Sequence, residues 1–178
     1  MATPAPGLMG RLKRLLRHRW SDEATLRRAL PPEALARIGE RVTASERRHT
    51  GQIRVCIEAG LPWSYIRREA PARQRAITLF GKLRVWDTAQ NNGVLIYLLL
   101  AEHAIEIVAD RGIDLHVDAA DWAAMTKRMA QAFREGRFED GVTQALEEVS
   151  ALLVEHFPAE PGAPSRRNEL PDAPVVLL

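Results

Sequence analysis

Four aspartates and two asparagines fall within one stretch of this sequence: Asp87, Asn91, Asn92, Asp110, Asp114 and Asp118. Carboxylate and amide oxygens are the ligands that hard cations such as calcium or magnesium prefer. Asp87, Asn91, Asn92 and Asp110 therefore form a candidate metal set, although their spacing does not match an EF-hand loop. The same residues have a plainer use, in which Asn91-Asn92-Gly93 supplies turn geometry before a strand and Asp87 and Asp118 cap turns or helices. Arg111, next to Asp110, is a candidate anion contact. With a metal-bound water and Asp87 or Asp110 it would supply the parts of a metal-assisted phosphatase. It could equally neutralise either carboxylate as a structural ion pair.

Other chemistries lose support. The chain contains no Gly-rich phosphate loop, no Gly-x-Ser-x-Gly elbow and no Cys-His pairing, and His103, His116 and His156 do not form the i, i+4 pair of a helical zinc site. Its single cysteine, Cys56, excludes an internal disulfide and a multi-cysteine zinc site, and its apolar neighbours predict an inert buried thiol. A net charge of +2 gives no footprint for nucleic acid. With 46% hydrophobic and 27% charged residues in 178, the chain reads as one ordinary folded domain. Basic residues interrupt the apolar ones of the first twenty positions, so no export signal is expected. The longest apolar run, Gly93 to Ala101, is about half of what a membrane-spanning helix needs. The expected location is the cytoplasm, with a peripheral place at the inner membrane as the further option.

That option rests on residues 8–20, where Leu8, Leu12, Leu15, Leu16 and Trp20 recur at helical spacing among Arg11, Lys13, Arg14, Arg17 and Arg19. Arg11, Lys13, Arg14, Arg17 and Trp20 are the candidate contacts to an anionic membrane surface or a partner. The alternative is an ordinary amphipathic helix whose leucines pack on the domain while its arginines face water.

The elements that must position these residues follow from periodicity. Pro31-Pro32-Glu33 opens a helix to about Glu46, and Gln52–Ala59 alternates as a half-buried strand. A crossover helix over Pro71–Leu83 leads to a strand at Val94–Leu100, predicted parallel to the first. Ala101-Glu102-His103 turns the chain into a return strand, Ala104–Ala109, antiparallel to the second. Helices from Asp118 and from about Phe138 to His156 complete the set, and Trp63 and Tyr65 read as packing residues. This topology brings His49, Asp87, Asn91, Asn92, Asp110 and Arg111 to one edge of the sheet. A Pro- and Arg-rich tail follows, with an apolar end that could dock on the body or on a partner.

Two strings carry a family likeness. His49-Thr50-Gly51-Gln52-Ile53-Arg54-Val55 and, more specifically, Val85-Trp86-Asp87-Thr88-Ala89-Gln90-Asn91-Asn92-Gly93-Val94-Leu95-Ile96-Tyr97 resemble the first two strands of the TPM domain and the turn between them. Agreement extends through Glu106–Ile113 and Phe133–Phe138, so that about Leu35 to Pro158 is covered. The resemblance implies a three-layer α/β/α sandwich with a small mixed sheet. It divides the chain into a basic amphipathic extension (1–30), a TPM-like domain (31–158) and a carboxyl-terminal tail (159–178). In some family members it implies bound calcium or phosphatase activity, and in others an accessory role beside membrane proteins. The ending is similar to cytoplasmic members associated with LemA-type membrane proteins. The expectation is a non-enzymatic binding or accessory module, with the phosphatase as the competing reading.

Overall fold

The computed structural model describes residues 8–160 and 168–178. Three helices come first: α1 (Leu8–Trp20), α2 (Glu23–Ala29) and α3 (Pro32–Glu46). Asp22 caps α2, accepting from the Thr25 N–H at 2.9 Å, and α3 opens on Pro31-Pro32, where a missing N–H costs nothing. Strand β1 (Gln52–Glu58) leads through α4 (Trp63–Arg67) and α5 (Ala72–Lys82) to β2 (Gly93–Leu99). A single 3-10 turn, Leu100–Glu102, ends at a left-handed His103 and reverses the chain into β3 (Ala104–Ala109). The one-turn helix α6 (Arg111–Asp114), then α7 (Ala119–Arg134) and α8 (Phe138–His156), follow, and β4 (Val175–Leu177) lies close to the carboxyl terminus.

The sheet order is β3-β2-β1-β4. β1 and β2 run parallel with Gln52 opposite Gly93, and β2 and β3 are antiparallel with Val94 opposite Ala109, as the sequence predicts. Alternation along the strands sorts the core into two halves. Ile53, Val55, Ile57, Val94, Ile96, Leu98, Ile105 and Ile107 face α2, α3, α7 and α8, while Cys56, Leu95, Tyr97, Leu99 and Val108 face α4 and α5. The result is the expected three-layer α/β/α sandwich.

The tail of the sequence docks on the body. Residues 168–178 run along the free side of β1 and add β4 parallel to it, Cys56 opposite Val175. Gln52 Oε1 accepts from the Glu169 and Leu170 N–H groups at 2.8 and 2.9 Å, Arg54 Nη1 donates to the Ala173 carbonyl at 2.7 Å, and Leu170 is buried. Of the carboxyl-terminal tail expected over 159–178, residues 161–167 lie outside the described residues.

Several local expectations are corrected. Asp118 occupies the N-cap position of α7, but its side chain makes no capping hydrogen bond. Tyr65 is buried, yet Trp63, the first residue of α4, is 60% exposed. In α1 the ordinary amphipathic arrangement holds only in part, since Arg14 and His18 meet the domain and Leu15 is half-buried, while Leu12, Leu16 and Trp20 face water along with Arg11, Lys13, Arg17 and Arg19.

Candidate functional site

The turn between α5 and β2 is built from residue types that few others could replace. Asn91 has φ 52°, a left-handed conformation that asparagine tolerates better than most. A Cβ on Gly93 would stand 1.9 Å from the Val85 carbonyl oxygen, so β2 can start here only with glycine. Thr88 closes the turn, its Oγ1 accepting from the Asn92 N–H at 3.1 Å.

This turn meets the end of β3, as strand register requires. The Asp110 N–H donates to the Gly93 carbonyl at 2.9 Å, and the Gly112 N–H donates to the Asn91 carbonyl at 3.0 Å. Asp110 caps α6, with Oδ1 accepting from the Arg111 N–H at 2.7 Å. Arg111 is exposed, and its guanidinium donates to Asn91 Oδ1 at 3.2 Å. Asn92 is almost wholly buried, at 1% exposure, and its amide N–H groups donate to Thr50 Oγ1 and Gln90 Oε1, both at 3.2 Å.

Two side-chain oxygens at this edge are left over. Asn92 Oδ1 and Asp110 Oδ2 are buried and have no hydrogen-bond partner among the described residues. A buried carbonyl or carboxylate oxygen without a partner costs about 1–3 kcal/mol, more when charged. Oxygen atoms of this kind are what a hard cation takes.

The wider carboxylate set is not assembled. Asp87 is exposed and held by Arg84 at 2.8 Å, and among the described residues no group of three or more His, Cys, Asp or Glu could hold a metal ion. His49, placed at this edge by topology, is buried instead, with Nδ1 3.0 Å from the Gly51 carbonyl; burial pulls its pKa down to about 4. Sequence reasoning missed the supporting polar residues Thr50, Thr88 and Gln90. Their signal was present, since all three lie inside the two strings that carry the family likeness. Beyond the edge, a cleft of about 690 Å³ runs beside β3, lined by Arg73, Glu106, Asp114, Trp122 and Lys127.

A three-layer sandwich with a mixed four-stranded sheet, and an Asn-Asn-Gly turn at the start of the second of its two parallel central strands, defines the class of α/β domain that this chain forms. The TPM domain model matches residues 25–152, and the chain belongs to that family. The chain is similar in structure to the BA42 protein of the psychrophilic bacterium Bizionia argentinensis, solved by NMR. The identity is 25%, the TM-score 0.70, and the match covers 83% of this chain and 94% of that one. It also shares its fold with the N-terminal domain of a P. gingivalis protein, at 19% identity and TM-score 0.58, covering 83% of this chain and 92% of that one. No curated protein matches. Among the described residues no helix is long and apolar enough to cross a membrane.

Proposed function

We propose that this TPM domain is a non-enzymatic binding module whose sheet edge takes a divalent hard cation, calcium or magnesium, through Asp110 and Asn92. The observation that carries the reading is the pair of buried, unpartnered oxygens, Asn92 Oδ1 and Asp110 Oδ2, on adjoining segments of one edge. Asn91, in the same turn, would help to shape the site, while Asp87 is left out of the donor set because Arg84 holds it. By its resemblance to cytoplasmic family members, such a module would serve as an accessory to a LemA-type membrane protein.

Calorimetric titration of metal-stripped protein with calcium chloride and magnesium chloride tests the reading. A saturable heat is expected, together with a rise in melting temperature, since a ligand at a hundred times its Kd stabilises the native state by about 2.7 kcal/mol. Asp110→Asn should weaken binding by about tenfold or more while keeping the α6 cap, and Asp87→Asn should leave it unchanged. Absence of both heat and thermal shift would remove the cation from the account.

The phosphatase reading draws on one further observation, the exposed Arg111 guanidinium at the same edge. It predicts hydrolysis of p-nitrophenyl phosphate by the metal-loaded protein, lost in both Asp110→Asn and Arg111→Gln. Cation binding without turnover leaves the binding module.

A further inference from the structure

Helix α1 sits on the domain chiefly through Arg14 and His18, with Leu15 half-buried beside them. Arg14 donates from Nε to Glu102 Oε1 at 2.6 Å and from Nη2 to the Ala70 carbonyl at 2.7 Å. His18 is buried: its Nδ1 accepts from the Leu61 N–H at 3.0 Å, which leaves Nε2 to donate to Glu102 Oε1 at 2.9 Å. Met9, Leu12, Leu16 and Trp20 follow one another at steps of three and four residues, so they form a single stripe on the other side of the helix. All four are exposed, Trp20 by 72%. Trp63 extends the patch, sharing one groove with Leu16 and Arg19 and another with Leu12 and Arg11.

An exposed apolar stripe of this kind marks an interaction surface. What surrounds it identifies the partner. Lys13 and Arg17 flank the stripe on one side and Arg19 on the other, all three exposed, and α1 contains no acidic residue. Glu69, in the groove beside Trp63, is neutralised by its ion pair with Arg11. Apolar side chains, interfacial tryptophans and a mainly basic border are complementary to the headgroup region of an anionic bilayer. We propose that α1, with Trp63, is a docking surface for anionic lipid membranes, lying flat with its stripe at the acyl boundary and Lys13, Arg17 and Arg19 at the phosphates.

This surface is independent of the cation edge. Leu61 follows the end of β1 and Glu102 the end of β2, whereas the Asn-Asn-Gly turn and Thr50 precede the starts of the same strands.

The test is co-sedimentation of the full chain with vesicles of phosphatidylglycerol and phosphatidylcholine in equal parts, against phosphatidylcholine alone, with tryptophan emission followed in parallel. Binding is expected only to the anionic vesicles, with a blue shift, and should fall away in about 1 M salt, where the Debye length shrinks to about 3 Å. Lys13→Gln and Arg17→Gln should each weaken it about fivefold. The double substitution Leu16→Ser and Trp20→Ser should weaken it by about tenfold or more at unchanged charge. These positions are exposed, and matching melting curves verify that the variants fold. No binding to anionic vesicles at low salt would overturn the proposal, as would undiminished binding by the Leu16→Ser, Trp20→Ser variant. Self-association in sedimentation velocity that the same variant abolishes would assign the stripe to a second copy of the chain and also overturn it.

Discussion

At the end of β1, Glu58 is a buried carboxylate with every oxygen engaged. Arg75 donates from Nη2 to Oε1 at 2.5 Å and from Nε to Oε2 at 3.0 Å, and the Tyr97 hydroxyl donates to Oε2 at 2.6 Å. Beside it, burial and the negative charge of Glu58 push the Cys56 thiol up to about 12, which makes it the inert thiol its neighbours in sequence suggest. A buried ion pair is costly to break from one side because the other charge stays behind. Arg75→Met should therefore lose about 3–5 kcal/mol in urea unfolding. Tyr97→Phe should lose about 1 kcal/mol, since Arg75 still covers the same oxygen. Equal losses in the two variants would show that Arg75 is not what holds Glu58 in the core. Glu46 gives the opposite case, a carboxyl that the fold prefers neutral. Burial raises its pKa to about 7, against the lowering effect of the Ile53 N–H bonded to it at 2.8 Å. A raised folded pKa means stability that is present below the ordinary carboxylate range and lost as pH rises toward 7. Replacing it by glutamine removes that loss, so Glu46→Gln should gain on the wild type by about 1 kcal/mol between about pH 5 and about pH 8, a figure discounted for its partial contact with water. His49 slopes the other way, its contribution being lost as pH falls from about 6.5 toward 4, and it cancels in the comparison of the two proteins.

At the scale of elements, Gln52 is the clasp that lays the carboxyl-terminal segment along β1. Its Oε1 accepts two backbone N–H groups of that segment, and Leu170 fills the layer under α5. Gln52→Ala should strip both partners and cost about 1–3 kcal/mol. Hydrogen exchange should then quicken at Ala59, whose N–H donates to the Leu177 carbonyl at 2.9 Å, while the β2–β3 amides keep their protection. Uniform change over both regions would mean that the clasp acts on the whole domain rather than on β4. These elements also show what the sequence made legible. β1 and β3 announce themselves by alternation, β2 by an unbroken apolar run, and the turn before β2 by Asn91 and Gly93, whose backbone demands few residue types can meet. β4 carries no such signal, because three residues after Asp172-Ala173-Pro174 have no period of their own, and their partner lies more than a hundred positions away. Periodicity identified α1 but could not orient it, since a repeat states that two faces differ and not which one the domain will hold. Glu102 decides that, by offering Arg14 and His18 a partly buried carboxylate. At the candidate site the same limit applies: Asp87 and Asp110 look alike in sequence, but the fold buries Asp110 as the cap of α6 and leaves Asp87 exposed beside Arg84.

Across the whole molecule, the proposed activities occupy opposite ends of the strands. A domain resting on lipid through α1 would hold its Asn92 and Asp110 edge away from the bilayer, open to whatever binds there. The two layers of helices leave the sheet flanked at its long sides by β3 and β4, and only the latter comes from a remote part of the chain. This has a bearing on synthesis. Gln52 and Glu169 are separated by 117 positions, on the order of ten seconds of elongation at about 5–20 residues per second. Through that interval β1, with Val55 and Ile57 in it, exposes one side to any extended chain nearby. Glu46 already occupies the Ile53 N–H, and Arg54 stands two positions before Cys56, so the waiting strand carries its own guards against mispairing on the ribosome.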